Sequence, residues 1–255
     1  MELRDRAFVV TGGGSGLGRA TVDMLAGAGA RVGIVDVNAA AAAEAAARHP
    51  GRCLAVPADV TDSESLSAAL DTVSARFGPL GGLVSSAGVV LAERVLGRDG
   101  PHDLERFERV IRVNLIGTFN AARLAAARMR ENPAGDDGER GVLILTASIA
   151  AFEGQVGQAA YAASKGGVAS LVLPLARELA RDGIRVMGIA PGIFDTPMMA
   201  ALPEAARVSL GQQVPFPPRL GRPEEYAYLV RQLLENRMLN GSVIRLDGAI
   251  RMGPR

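Results

Sequence analysis

The chain has 255 residues, 48% hydrophobic and 22% charged, with 28 Lys and Arg against 27 Asp and Glu. That composition fits a globular protein with a full core. A formal net charge of +1 with no Lys/Arg block gives no electrostatic case for nucleic acid or an anionic membrane.

The one cysteine, Cys53, allows no internal disulfide and seeds no metal set, so a reducing compartment is expected. The opening "MELRDRAFVV" enters an apolar run at once and leaves no room for a signal or transit peptide. No run approaches the ~20 apolar residues of a bilayer span. We expect a cytoplasmic protein.

Short β-branched runs alternate with longer Ala-rich segments. "AFVVT" (7–11) precedes a Gly-rich turn and a helical segment at 17–28. "RVGIVD" (31–36) precedes 39–48, and "CLAVPAD" (53–59) precedes 63–77, with Ser63 expected as N-cap and Gly78-Pro79 as the stop. "LGGLVSSAG" (80–88) leads through a polar loop to one long helix over about 104–130. "GVLILTAS" (141–148) precedes a helix over about 158–180, ended by Gly183 and interrupted in pattern by Pro174. "IRVMGIAPG" (184–192) and "SVIRLDG" (242–248) complete the set. Continuous apolar runs alternating with helices predict an α/β fold, a doubly wound parallel sheet covered on both faces, in one domain. The halves divide near residue 135, the first dinucleotide-binding, the second catalytic and substrate-binding.

"VVTGGGSGLGRA" (9–20) joins the first strand to the first helix. The spacing of Gly12, Gly16 and Gly18 lets backbone N–H groups and a helix N-terminus approach a pyrophosphate. A ligand-free glycine turn has the same look, but the strand–helix context favours a dinucleotide. Asp36 ends the second strand, where a carboxylate accepts from ribose hydroxyls and repels a 2′-phosphate. No Lys or Arg stands in the glycine loop or between Asp36 and Arg48, so NAD is expected over NADP. Asp59 ends the third strand and serves either the adenine amine or a plain turn. Asn114 sits in an apolar helical pattern that suits Asn poorly, and a buried Asn there could hold a water.

Tyr161 and Lys165 are four apart and share a helix face. Ser148 ends the fifth strand, at the carboxyl edge where open parallel sheets bind ligands. A phenol titrates near 10 and is protonated at neutral pH. A neighbouring ammonium and an oxidised nicotinamide would favour phenolate. Such a tyrosine can take a proton from an alcohol while hydride leaves the same carbon. Ser148 could hold the substrate oxygen.

Together, "TGGGSGLG", Asp59-Val60, Asn114, "TAS" ending at Ser148, "YAASK" (161–165) and Pro191-Gly192 resemble the short-chain dehydrogenase/reductase family. The resemblance spans nearly the whole chain. It implies a Rossmann-type domain with a seven-stranded parallel sheet. It implies Tyr161 as acid/base, Lys165 on the ribose and tuning the tyrosine, Ser148 on the substrate carbonyl and Asn114 in a proton relay. Cofactor contacts would fall on Ser15, Leu17, Asp36, Asp59, Val60, Ser86, Ala87, Gly88, Pro191, Phe194 and Thr196, and substrate contacts on Gln155 and Gln158. "AFEGQVGQAAY", "QVPFPPRLG" and "NGSVIRLDGAIRM" are similar to the type II 3-hydroxyacyl-CoA dehydrogenase subgroup. That subgroup implies NAD, a homotetramer and short-chain, including branched, 3-hydroxyacyl-CoA substrates. Steroids or simple secondary alcohols are the neighbouring alternative, and a non-catalytic NAD-binding scaffold is the alternative of another class.

The chain departs from the family at "SSAG" (85–88), where both usual asparagines are serine, which puts any side-chain amide role there in doubt. The loop 89–103 also differs and borders the expected substrate mouth. Arg219 and Arg222 are candidates for a coenzyme A phosphate contact, with ordinary surface arginines as the alternative. The segment Phe194 to Leu220, rich in Met and Pro, is expected to close over the ligands.

Overall fold

The computed structural model describes residues 1–98, 100–200 and 203–254. The β-branched runs form β1 (Ala7–Thr11), β2 (Arg31–Asp36), β3 (Cys53–Pro57), β4 (Leu80–Ser85), β5 (Gly141–Thr146), β6 (Ile184–Pro191) and β7 (Val243–Leu246). All pairings are parallel, in the order β3-β2-β1-β4-β5-β6-β7. The order reverses between β1 and β4, and the crevice beyond their carboxyl ends is where such sheets bind ligands.

Helices cover both faces. They are α1 (Gly16–Gly27), α2 (Ala39–Ala47), α3 (Ser63–Phe77), α4 (Leu104–Ile111), α5 (Gly117–Met129), α6 (Ala159–Leu179), α7 (Pro197–Ala200), α8 (Glu204–Gln212) and α9 (Pro223–Glu235). Successive strand residues feed opposite cores because side chains alternate across a sheet. Val9, Leu83, Leu143 and Val186 pack with α3, α5 and α6. Phe8, Val84, Ile144 and Met187 pack with α1, α2 and α9. The strands are therefore largely apolar on both faces, which explains runs with little polar alternation; Arg185 in β6 and Arg245 in β7 are the internal exceptions.

The strands end earlier than expected at their carboxyl ends, so Asp59, Ser86 to Gly88 and Ser148 lie on the loops beyond them. Asp62, not Ser63, caps α3: its carboxylate accepts from the Glu64 and Ser65 N–H groups at 2.9 and 3.1 Å. A full charge there complements the helix dipole better than a hydroxyl, and Ser63 instead donates to Asn120 at 3.1 Å. The expected single helix over 104–130 is interrupted by a π turn at Arg112–Ile116. Pro174 stays inside α6 on an exposed face, where the carbonyl it leaves without a donor can be hydrated. Gly183 adopts φ 69°, the left-handed stop expected of it.

Candidate active site

The turn after β1 is glycine because backbone must pass backbone. Gly12 has φ +66°, and a Cβ there would sit 2.7 Å from the Ala87 backbone; a Cβ on Gly18 would strike the Gly12 carbonyl. Asp36 at the end of β2 braces this turn, accepting from Gly14 N–H at 3.0 Å and from Asn38 N–H at 2.9 Å. Both actions place its carboxylate on the wall of a cleft of about 900 Å³.

That cleft gathers the expected cofactor residues. Gly12, Ser15, Gly16, Leu17 and Gly18 line one end with Asp36. Asp59 and Val60 line it from the loop after β3, and Ser86, Ala87 and Gly88 from the loop after β4. Pro191, Phe194 and Thr196 line it from the loop after β6. Asp59 also fulfils the plainer reading: one oxygen accepts from the Thr61 N–H and hydroxyl, both at 2.8 Å, and fixes a turn.

The two serines have separate fates. Ser85 is buried and turns toward α5, donating to Thr118 at 3.3 Å. Ser86 stays in the cleft, its buried hydroxyl without a well-formed hydrogen bond among the described residues. It faces the Tyr226 hydroxyl and offsets part of the pKa rise that burial imposes on that phenol.

Ser148, Tyr161 and Lys165 meet in the middle of the cleft. Ser148 Oγ accepts from Ala150 N–H at 3.1 Å, so its own proton is free to point elsewhere. Burial raises the Tyr161 phenol above its ordinary pKa, and the Ser148 hydroxyl offsets part of that rise. Lys165 Nζ is buried and donates to the Thr146 carbonyl at 2.8 Å, 5.9 Å from the Tyr161 ring centre. Desolvation lowers its pKa to about 8. Burial is the largest influence on the phenol in the chain by itself.

Asn114 does not line the cleft; it stands behind the wall, in the π turn, fully buried. Its Oδ1 accepts from Val89 N–H at 2.8 Å, and its Nδ2 donates to the Val89 carbonyl at 2.9 Å and to Ser164 Oγ at 3.0 Å. Ser164 in turn donates to the Tyr161 carbonyl at 2.7 Å. One amide therefore ties the loop after Gly88 to the helix that carries Tyr161 and Lys165.

Gln155 and Gln158 line the cleft, interlocked: Gln155 N–H donates to Gln158 Oε1 at 3.1 Å. Arg219 is not among the lining residues. It makes paired bonds to Glu225 at 2.9 and 2.7 Å, and Arg222 opens α9, so both follow the ordinary-surface reading. The cleft's cations besides Lys165 are Arg109 and Arg112, which sequence reasoning missed; their three-residue spacing on one helix was the available signal. Met252 was missed as well. Of the expected closing segment, Met199 and Leu210 line the cleft, Leu202 falls outside the described residues, and the stretch is partly helical.

A family model for short chain dehydrogenases matches residues 6–207. The chain belongs to the short-chain dehydrogenase family. It is 52% identical to 3-hydroxyacyl-CoA dehydrogenase type-2 of Bos taurus, over 99% of this chain and 98% of that one. It is 51% identical to the protein of that name from Homo sapiens, with the same coverage. A crystal structure of 3-hydroxyacyl-CoA dehydrogenase type-2 from Mycobacterium avium superposes with a TM-score of 0.94 at 42% identity, covering 98% of this chain and 97% of that one. Among the described residues no helix is long and apolar enough to cross a membrane.

Proposed function

We propose that the protein oxidises short-chain 3-hydroxyacyl-CoA thioesters, branched ones included, to 3-ketoacyl-CoA with NAD. The observation that carries this is full-length identity near 50% to dehydrogenases of that name, joined to Ser148, Tyr161 and Lys165 in one cleft. The cofactor fits what is present: a glycine turn leading into the N-terminus of α1 and a carboxylate at the end of β2, both on the cleft wall. NAD, when bound, accepts hydride from the carbinol carbon. Tyr161 takes the hydroxyl proton, and Ser148 donates to the substrate oxygen. Lys165 has spent one N–H on Thr146, leaving two for ribose hydroxyls, and its charge opposes the burial that keeps Tyr161 protonated. Gln155 and Gln158 border the substrate, and Asn114 supports the proton path by holding α6 in place. Asp36 favours NAD through ribose bonding and repulsion of a 2′-phosphate.

The same chemistry on a steroid or simple secondary alcohol is the second reading, favoured by a largely aliphatic wall that includes Ile149, Ile193, Met199 and Leu210. A non-catalytic scaffold would have no use for a phenol buried against a serine hydroxyl. We place the protein in the cytoplasm, as a homotetramer in fatty acid metabolism. Rates of NADH formation with 3-hydroxybutyryl-CoA, longer thioesters and secondary alcohols test the reading. The thioesters should be preferred at least tenfold in kcat/KM, and no turnover with any alcohol would leave only the scaffold.

A further inference from the structure

The last residues of the chain do not trail away from the cleft. The 247–254 stretch lies along the loop that joins Ser148 to Tyr161, and a run of side-chain and main-chain bonds fastens it there. Glu153 is the centre of the clamp. Its carboxylate receives Arg245 at 2.7 and 3.2 Å and the N–H of Met252 at 3.0 Å, with Arg251 at 3.3 Å. Arg245 reaches back to Asp247 at 2.7 Å and to the Ile250 carbonyl at 3.1 Å. Gln155 Nε2 donates to the Gly253 carbonyl at 3.1 Å, and Val156 N–H to the Pro254 carbonyl at 3.0 Å.

Ion pairs that stay partly in contact with water contribute modest net stability. What several of them on one short segment do supply is position. Ala249 even accepts a left-handed φ of 68°, its N–H held by Asp247 at 2.9 Å, a conformation that persists only when its surroundings enforce it. Beneath the clamp, Ile250 is buried against Ile149 and Val214, with Ile193 and Met252 beside them. Ile149, Ile193 and Met252 also line the cleft. Ile149 directly follows Ser148, so this apolar patch lies at the reacting end of the cleft, away from the glycine turn.

We propose that Met252, held by the Glu153 clamp, is a specificity-determining residue that limits the size of the acyl group. This rests on the reading that the cleft takes a 3-hydroxyacyl chain. The Met252 thioether is unbranched and apolar, suited to contact with an aliphatic chain. Its main-chain N–H is fixed by Glu153, so it cannot retreat as a free tail would. Glu153 is a positioning residue that acts through Met252.

The test is the ratio of kcat/KM for 3-hydroxydecanoyl-CoA to that for 3-hydroxybutyryl-CoA. Each methylene fitted or refused by an apolar pocket changes kcat/KM by about tenfold or more. Met252→Ala should raise the ratio at least fivefold, and Met252→Phe should lower it. Glu153→Gln should move the ratio in the same direction as Met252→Ala, with Glu153→Asp restoring part of it. An unchanged ratio in both Met252 variants overturns the proposal. A uniform loss of rate in Glu153→Gln, with the ratio constant, overturns the clamp. If the unmodified protein turns over no thioester, the proposed substrate is wrong. The wall is then decided on 2-butanol against 2-decanol with the same variants.

Discussion

Replacing Tyr161 by Phe removes one oxygen and keeps the ring that forms part of the cleft wall. General acid–base groups are worth about 10²–10⁴ in rate, so Tyr161→Phe should lower kcat at least a hundredfold while NAD binding, read by fluorescence titration, stays within about threefold. Lys165 makes an unusual prediction about stability. Its pKa falls from 10.5 to about 8 on folding. Between those values the unfolded chain binds more protons, so stability rises as pH climbs from 8 to 10.5; below 8 the full penalty stands. That penalty is ~3 kcal/mol at neutral pH, against ~1–3 kcal/mol for leaving the Thr146 carbonyl unpaired. Lys165→Met should therefore melt at a higher temperature than the parent at pH 7 without ligand, the gap closing near pH 10, while activity is lost. Equal melting at pH 7 would reject this account of the buried charge. Asp36→Ala should narrow the preference for NAD over NADP at least tenfold in kcat/KM; a parent enzyme that used NADP equally well would contradict the role given to Asp36. These residues were legible in sequence because their chemistry is local, a phenol and an ammonium one helical turn apart and a carboxylate at a strand end. Met252 and Glu153 were not, since they meet across 99 residues of chain and no spacing rule reaches that far.

The π turn at Arg112–Ile116 is the element that most changes the sequence picture. One wider turn leaves the apolar pattern on both sides intact, so periodicity predicted an unbroken helix. Its effect is to bury Asn114 where the amide can grip Val89 and Ser164. Such turns gather at functional sites. Asn114→Ala would leave the Val89 N–H and carbonyl without their partner, at a cost of about 2–3 kcal/mol. A fall in Tm together with a loss of kcat larger than the change in KM is expected; an unchanged kcat would free Asn114 from the site. The stretch from Phe194 to Leu220 is anchored at both ends, Asp195 N–H to the Gly221 carbonyl at 2.8 Å and Gly221 N–H to the Ile193 carbonyl at 2.9 Å. Hydrogen exchange in α8 should slow when NAD and a substrate analogue are added, and unchanged exchange would remove the idea of closure. The boundaries of the glycine turn, α1 and α6 were legible because glycines and apolar periodicity mark them. The cap of α3 was misplaced by one residue because Asp62 and Ser63 are both good caps and only backbone geometry chooses between them.

At the scale of the molecule, apolar side chains remain uncovered. Ile116 is 51%, Phe119 41% and Leu173 44% exposed, on the π turn, α5 and α6. The apolar tail, by contrast, is accounted for within the chain, since Ile250 is buried on Ile149 and Val214. The case for the proposed tetramer comes from the exposed apolar residues of the helices. Light scattering should give about four times the 26.4 kDa of one chain, and charged substitutions at Ile116 and Phe119 together should lower it; a mass of one chain for the parent would reject the assembly. Fold class was legible at this scale because seven strands separated by helices admit few arrangements. The strand order also carries a temporal consequence. The interior strand β1 finds one neighbour early, in β2, but its other neighbour is β4, Ala7 lying opposite Leu80. At ~5–20 residues per second of synthesis, β1 emerges with one edge bare and waits several seconds for the strand that covers it. Contacts so distant in sequence also slow refolding, so the newborn chain passes through an interval in which a largely apolar strand edge is open to chaperones and to its own kind.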